Sequence, residues 1–135
     1  MPESVTKRGA VFDLTARSLT EANPGYRDID EVTRLFAVGA PVHIAAHWID
    51  GAQPAPGRDY SCSHEHDSLV EVNIILGAPG ALSYEIVLGE GEEPTIVHAP
   101  CAVVVPAGVA HSANVLEGRG WFVVLRLPTA CLDQP

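Results

Sequence analysis

The segment Ser63-His64-Glu65-His66-Asp67-Ser68-Leu69-Val70-Glu71 holds more reactive side chains than any other stretch of the chain. Residues at i and i+2 of a strand point to one face, so His64 and His66 can offer two imidazoles to one point. Neutral imidazole is the commonest protein ligand for divalent transition metals. Glu71 follows four intervening residues after His66, enough for a bend that returns a carboxylate to the same place. Forty positions further on, Pro106-Ala107-Gly108-Val109-Ala110-His111 sets another histidine just past a proline–glycine reversal, where a strand begins. HxH alone is a common accident. HxH, a spaced carboxylate and PxGxxH together point to metal ligation.

These residues must be positioned by a small chain. Its 135 residues suit one domain with one core, and 47% hydrophobic against 19% charged residues describes a globular protein. The formal charge of -9 repels phosphate backbones, so nucleic acid is not an expected partner. The most apolar segment, Ala99 to Ala110, is interrupted by Pro100 and Pro106 and falls short of the roughly 20 residues a membrane helix needs. The N-terminal stretch carries no apolar run of signal-peptide length. Cys62, Cys101 and Cys131 form no even framework and no CxxC spacing, which fits a reducing, cytoplasmic setting.

From Pro41 onward the sequence reads as short strands separated by turns, with little helix. Val42 to Ile49 alternates with period two; Gly51 to Gly57 is a loop. Strands are predicted over Cys62–His66, Val70–Leu76, Leu82–Leu88, Thr95–His98, Ala102–Val105, Ala110–Leu116 and Trp121–Leu127. Before them, residues 1–36 read as an arm, with a short strand at Ala10–Leu14, a break at Asn23-Pro24-Gly25, and ambiguous helix or turn character at Asp28–Phe36. Residues 37–135 then form the barrel. The fold class is all-β, a sandwich or barrel.

The two motif segments resemble the conserved motifs of the cupin superfamily. The first is His64, His66, Glu71 and, after five residues, Gly77; the second is Pro106, Gly108, His111 and Asn114, with two residues rather than the usual three before the Asn. The resemblance covers about residues 60 to 127. It implies a jelly-roll barrel (a double-stranded β-helix) in which His64, His66, Glu71 and His111 bind one metal ion. Three nitrogens and one carboxylate suit Fe(II), Mn, Ni or Zn; the lack of thiolate ligands argues against structural zinc, and Fe(II) is favoured. Open coordination positions would admit dioxygen or a small oxygenated substrate. The expected function is therefore dioxygenase-type chemistry. Redox-neutral isomerisation, cyclisation or elimination is the alternative, and a non-catalytic ligand-binding barrel is the third reading. Glu71 is either a ligand or a catalytic base.

Other residues are candidates for substrate contact or for support of the ligands. Cys62 shares strand parity with the histidines, although a small buried hydrophobe is the commoner role for such a residue. His43 and His47 are four apart on one strand, hence same-faced, and would line the pocket mouth. Asn73, Tyr84, Trp121 and Arg126 lie on strands bordering the cavity; Arg126, a cation in an apolar strand, requires a carboxylate or an anionic substrate as partner. His98, Cys101 and Cys131 read as ordinary structural or surface positions. The arm is expected to add a strand to a second copy, giving a homodimer.

Overall fold

Strand-forming sequence dominates the chain. The computed structural model, which describes residues 9–54 and 59–129, builds it into an eight-stranded antiparallel sheet. The strands are β1 (Leu14–Ala16), β2 (Val32–Ala37), β3 (His43–Ala52), β4 (Leu69–Leu76), β5 (Leu82–Leu88), β6 (Thr95–His98), β7 (Cys101–Val105) and β8 (His111–Pro128). One turn of helix, α1 (Leu19–Ala22), interrupts them. Along the main path the order is β1-β2-β3-β8-β4-β7, with β5 joining β8 to β6. The sheet rolls up on itself as an all-β jelly-roll barrel. Among the described residues no helix is long and apolar enough to cross a membrane.

The roll depends on β8. Two separate strands are expected over Ala110–Leu116 and Trp121–Leu127; the structure has one strand of 18 residues that changes partners at its middle. Its first half pairs with β5 from Leu88↔His111 to Leu82↔Gly118. Its second half lies between β3 and β4, from Ala52↔Gly118 to His43↔Arg126 and from Leu76↔Trp121 to Leu69↔Pro128. Gly118 sits at the changeover with φ +110°, and a Cβ there would fall 2.0 Å from the Ala81 carbonyl oxygen. A Cβ at Gly120 would fall 2.3 Å from the Leu76 carbonyl oxygen. Glycine thus bends the strand where sequence alone suggests a break.

Inward side chains fall into rungs two residues apart, as strand periodicity requires. Pairing across β3, β8 and β4 sets His43, Arg126 and Glu71 on one rung, and Ala45, Val124 and Asn73 on the next. The third holds His47, Phe122 and Ile75. The barrel is therefore polar at one end of these strands and apolar further in. Ile49, Ile75, Leu82 and Ile86 are buried in the apolar part, where Tyr84 stacks on Phe122 with ring centroids 4.2 Å apart. Such stacking adds about 0.5–1.5 kcal/mol beyond the area it buries.

The N-terminal segment folds against its own barrel. The strand expected at Ala10–Leu14 lies instead at Leu14–Ala16 and pairs with β2. Ser18 caps α1 by accepting from the Glu21 N–H at 3.1 Å, Asp28 accepts from the Leu19 N–H at 2.6 Å, and the Leu19 side chain is buried. The ambiguous stretch Asp28–Phe36 contains most of β2, which pairs with β3 from Val32↔Ile49 to Phe36↔Ala45 and crosses the boundary drawn at residues 36 and 37. The loop expected from Gly51 begins after Ala52, where β3 ends, and its residues 55–58 lie outside the described ones.

Gly118→Ala is expected to destabilise the fold by at least about 2 kcal/mol in urea unfolding, since a disfavoured φ and a backbone clash act together. Gly80→Ala serves as the control. It has φ +78° but open space around it, and should cost only about 1 kcal/mol.

Candidate metal centre

The HxH segment is not a regular strand, contrary to the expectation for Cys62–His66. It is extended chain fixed at one point, an isolated bridge between His64 and His111. The two residues exchange backbone hydrogen bonds, His64 N–H to His111 O at 3.0 Å and His111 N–H to His64 O at 2.8 Å. Further stitches follow from the second motif. Gly108 N–H donates to His66 O at 3.0 Å. Asn114 Oδ1 accepts from the Tyr60 and Ser61 N–H groups at 2.8 and 2.7 Å, and its Nδ2 donates to Ser61 O at 3.1 Å. The second motif therefore holds the first in place.

His64, His66, Glu71 and His111 converge, each offering one ligand atom, all within 4.8 Å of one another. The His64 ring centroid lies 4.9 Å from that of His66 and 4.4 Å from that of His111. His64 Nδ1 lies 2.8 Å from Cys62 O and His111 Nδ1 lies 2.9 Å from Val109 O. A carbonyl can only accept, so Nδ1 carries the proton and Nε2 keeps its lone pair. The Nε2 atoms of His66 and His111 are buried without a hydrogen-bond partner. His111 Nε2 faces Glu71 Oε2 at 3.2 Å, electron pair toward electron pair, and His66 Nε2 lies 3.4 Å from Oε1. A cation at the point of convergence turns that repulsion into ligation. The residues present fit a divalent metal ion.

Glu71 is held from behind. Arg126, directly opposite in register, donates Nε–H to Oε1 at 2.9 Å, and Asn73 donates Nδ2–H to Oε2 at 3.0 Å. Burial alone would raise the Glu71 pKa. The neighbouring His111, with the hydrogen bonds from Arg126 and Asn73, outweighs it and holds the carboxyl well below its usual range. Burial, with the Arg126 charge second, lowers His66 to about 4. Burial also lowers His64. For His111 burial acts downward, but the Glu71 carboxylate and the Val109 carbonyl prevail and raise it.

The ligand atoms open on a cavity of about 260 Å³. His43 and His47 line it, as does Arg126, whose required partner is Glu71. Asn73 lies behind Glu71. Tyr84 is fully buried behind Tyr60, with the hydroxyls 2.8 Å apart, and does not line the cavity. Nor does Cys62: its Sγ packs against Gly25, and it serves the site through its carbonyl. Strand parity does not carry back to Cys62 because regular pairing is confined to the His64 bridge. Trp121 packs at a tilt against Trp48, centroids 5.0 Å apart, away from the cavity. His98 is exposed and paired with Ser83, Cys101 packs beside the core, and Cys131 lies outside the described residues.

Three contributors escape a reading of the sequence. Tyr26 brings its hydroxyl to 3.4 Å from His64 Nε2. Tyr60 ties His47 Nδ1 to the interior at 3.0 Å. Arg34 is a buried cation on β2. Only Arg34 had a usable signal, the alternation Val32-Thr33-Arg34, once that stretch is read as a strand.

No protein-family model and no curated protein matches the sequence. Solved structures do match. The RmlC-like cupin from Shewanella frigidimarina is 13% identical over 84% of this chain and 92% of its own, with TM-score 0.50. The polyketide cyclase RemF from Streptomyces resistomycificus is 18% identical over 84% and 73%, with TM-score 0.56. Hydroxypropylphosphonic acid epoxidase from S. wedmorenis is 10% identical over 89% of this chain, with TM-score 0.58, and this chain spans 60% of its length. An Fe(II) form of that enzyme, HppE, gives TM-score 0.60 at 12% identity. The chain has the cupin fold. The cupin barrel accounts for both motifs, since it brings the HxH segment, β4 and the start of β8 to one end.

Two histidines of the cavity give a pH signature. Burial lowers His47 to about 3 and His43 to about 4, against an ordinary 6.5. Between those values the unfolded chain binds more protons than the folded one, so stability is full above pH 6.5 and falls as pH drops toward 3. Over that whole range His47 alone contributes about 5 kcal/mol. Urea midpoints measured from pH 7.5 to 4 should decline, and His47→Gln should flatten the decline.

Proposed function

We propose that this protein is a mononuclear metal-dependent cupin enzyme acting on a small oxygenated organic molecule, with Fe(II) dioxygenase-type chemistry the leading reading. The observation that carries it is the convergence of His64, His66, His111 and Glu71, with buried, unpartnered Nε2 atoms, on an open-mouthed cavity. The likeness to Fe(II) HppE supports iron. Bound there, a divalent ion supplies Lewis-acid polarisation of a substrate oxygen and, as iron, redox chemistry with dioxygen. The likeness to the cyclase RemF supports the second reading, a redox-neutral cyclase, isomerase or lyase.

Within the chain, Glu71 acts as a ligand rather than a mobile base. Both of its oxygens already accept hydrogen bonds, and swinging away would break those to Arg126 and Asn73. Arg126 and Asn73 orient the carboxylate. The Tyr26 hydroxyl, beside His64, is placed to hand a proton to or take one from a substrate oxygen in the cavity. Phe122, Val124 and Ala113 supply the apolar wall that limits water.

Protein purified without chelators should carry about one equivalent of metal, and His64→Ala with His111→Ala should abolish it by elemental analysis. A fully metallated double variant would sink the site. Iron together with substrate-dependent oxygen uptake supports the dioxygenase reading. Turnover without oxygen uptake would select the redox-neutral one.

The reading places the protein in the cytoplasm, where the free thiols of Cys62 and Cys101 persist. It also includes a homodimer through the N-terminal arm. β1 ends the sheet, and among the described residues its outer edge has no partner strand, with Val11 and Leu14 exposed beside it. Light scattering at micromolar concentration should give twice the 14.3 kDa chain mass. A monomer would count against pairing there.

A further inference from the structure

The cavity beside the ligands holds a charge that the ligand set does not use. Two guanidinium groups line it, those of Arg34 and Arg126, and Glu71 is the one carboxylate among its described lining residues. Glu71 is engaged by Arg126. Arg34 is only 7% exposed, and among the described residues no carboxylate pairs with it. Its recorded contact is with a ring: Cζ stands 4.8 Å from the centre of Phe36. A largely buried arginine without a carboxylate is unusual, and its nitrogens keep contact with the cavity instead of being sealed in the core.

Its placement gives it a direction. Arg34 lies opposite His47 in register, whereas Phe36, two residues along β2, lies opposite Ala45. The guanidinium over Phe36 is thus carried one rung along the barrel, from the rung of His47 toward that of His43, Arg126 and Glu71. With a divalent ion bound, the chamber carries two guanidinium charges and two metal charges against one carboxylate. The chain as a whole stands at -9. A chamber of positive charge inside an acidic protein is a selective feature.

The geometry points to Arg34 as the seat of an anionic oxygen group on the ligand, a carboxylate or phosphonate, whose neighbouring oxygen turns toward the metal ligands. The planar fork of arginine matches both oxyanions through paired hydrogen bonds. The cavity of about 260 Å³ admits on the order of ten heavy atoms, taking roughly 30 Å³ for each water-sized unit. The ligand class is thus a short 2-oxo or 2-hydroxy acid, or its phosphonate counterpart. This deepens the metal-enzyme reading and rests on it only for the second oxygen. The anion seat itself belongs to the chain.

The test separates the two. Metal-free protein, dialysed against chelator, is titrated by calorimetry with 2-oxobutanoate, its methyl ester and hydroxymethylphosphonate, and the titrations are repeated after loading with Mn(II). At least one of the two acids should bind metal-free protein at least tenfold more tightly than the ester, and metal should tighten that acid further. Arg34→Met should lose at least tenfold for it in both forms, and Arg34→Lys should recover part of the loss. In wild-type protein the Arg34 side-chain Nε–H resonance should shift on titration, which reads the contact without any variant that might misfold. Equal binding of the acids and the ester, or an unmoved Arg34 resonance during binding, would overturn the anion seat. An acid preference that metal does not strengthen would leave the seat standing and count against the metal reading.

Discussion

The site depends on the pair of backbone hydrogen bonds between His64 and His111. They join two segments that are far apart in sequence and otherwise have no common strand. The distances among the three histidines follow from that bridge. It fixes His64 against His111, sets His66 two residues further along, and leaves Glu71 to arrive from β4. Asn114 reinforces it three residues into β8 by gripping the chain at Tyr60 and Ser61. Loss of that side chain leaves the buried Tyr60 N–H unpaired, at about 1–3 kcal/mol, and the partly buried Ser61 N–H with it. The weak match at Asn114, with its altered spacing, is therefore a structural member of the motif rather than a coincidence.

The price of such a site is a polar end in a barrel whose stability comes from its apolar end. Three imidazoles, a carboxylate, an asparagine and a guanidinium converge where a stable core would place aliphatic groups. The fold tolerates them by pairing each group. Arg126 and Asn73 answer Glu71, and backbone carbonyls answer the Nδ1 atoms of His64 and His111. Removing one member of the Arg126–Glu71 pair would strand a buried charge, worth about 3–5 kcal/mol. Among the described residues the Nε2 atoms of His66 and His111 have no hydrogen-bond partner, and Arg34 has no paired carboxylate.

The convergence of the candidate ligands was legible in the sequence because such residues are chemically rare and their spacing is set by local geometry. His64, His66, Glu71 and His111 all come together. The strands from Leu69 to Val105 were legible too, since turns rich in glycine and proline delimit them. Legibility failed where tertiary pairing decides the outcome. The alternation Val32-Thr33-Arg34 is too short to show by itself that the stretch before Ala37 pairs with β3, so β2 and the inward direction of Arg34 emerge only from the tertiary pairing. The glycines from Gly118 to Gly120 read as a break because nothing local reveals the close approach of Ala81 and Leu76. Tyr84 and Cys62 illustrate the limit of parity. An inward direction does not say which layer a side chain reaches, and parity itself lapses where pairing is a single bridge.

Charge adds a constraint that neither motif contains. At -9 the protein surface repels an anion approaching from solution, while the chamber at the end of the barrel attracts it over short range. Screening over roughly 8 Å at physiological salt confines each field to its own region. At the proposed anion seat, discrimination would take place inside the chamber, where low exposure strengthens the guanidinium's hold and water competes less. A neutral analogue of the same shape would enter without repulsion but leave Arg34 unpaired in the complex. That penalty, rather than any attraction at a distance, is what makes a buried arginine a device for specificity.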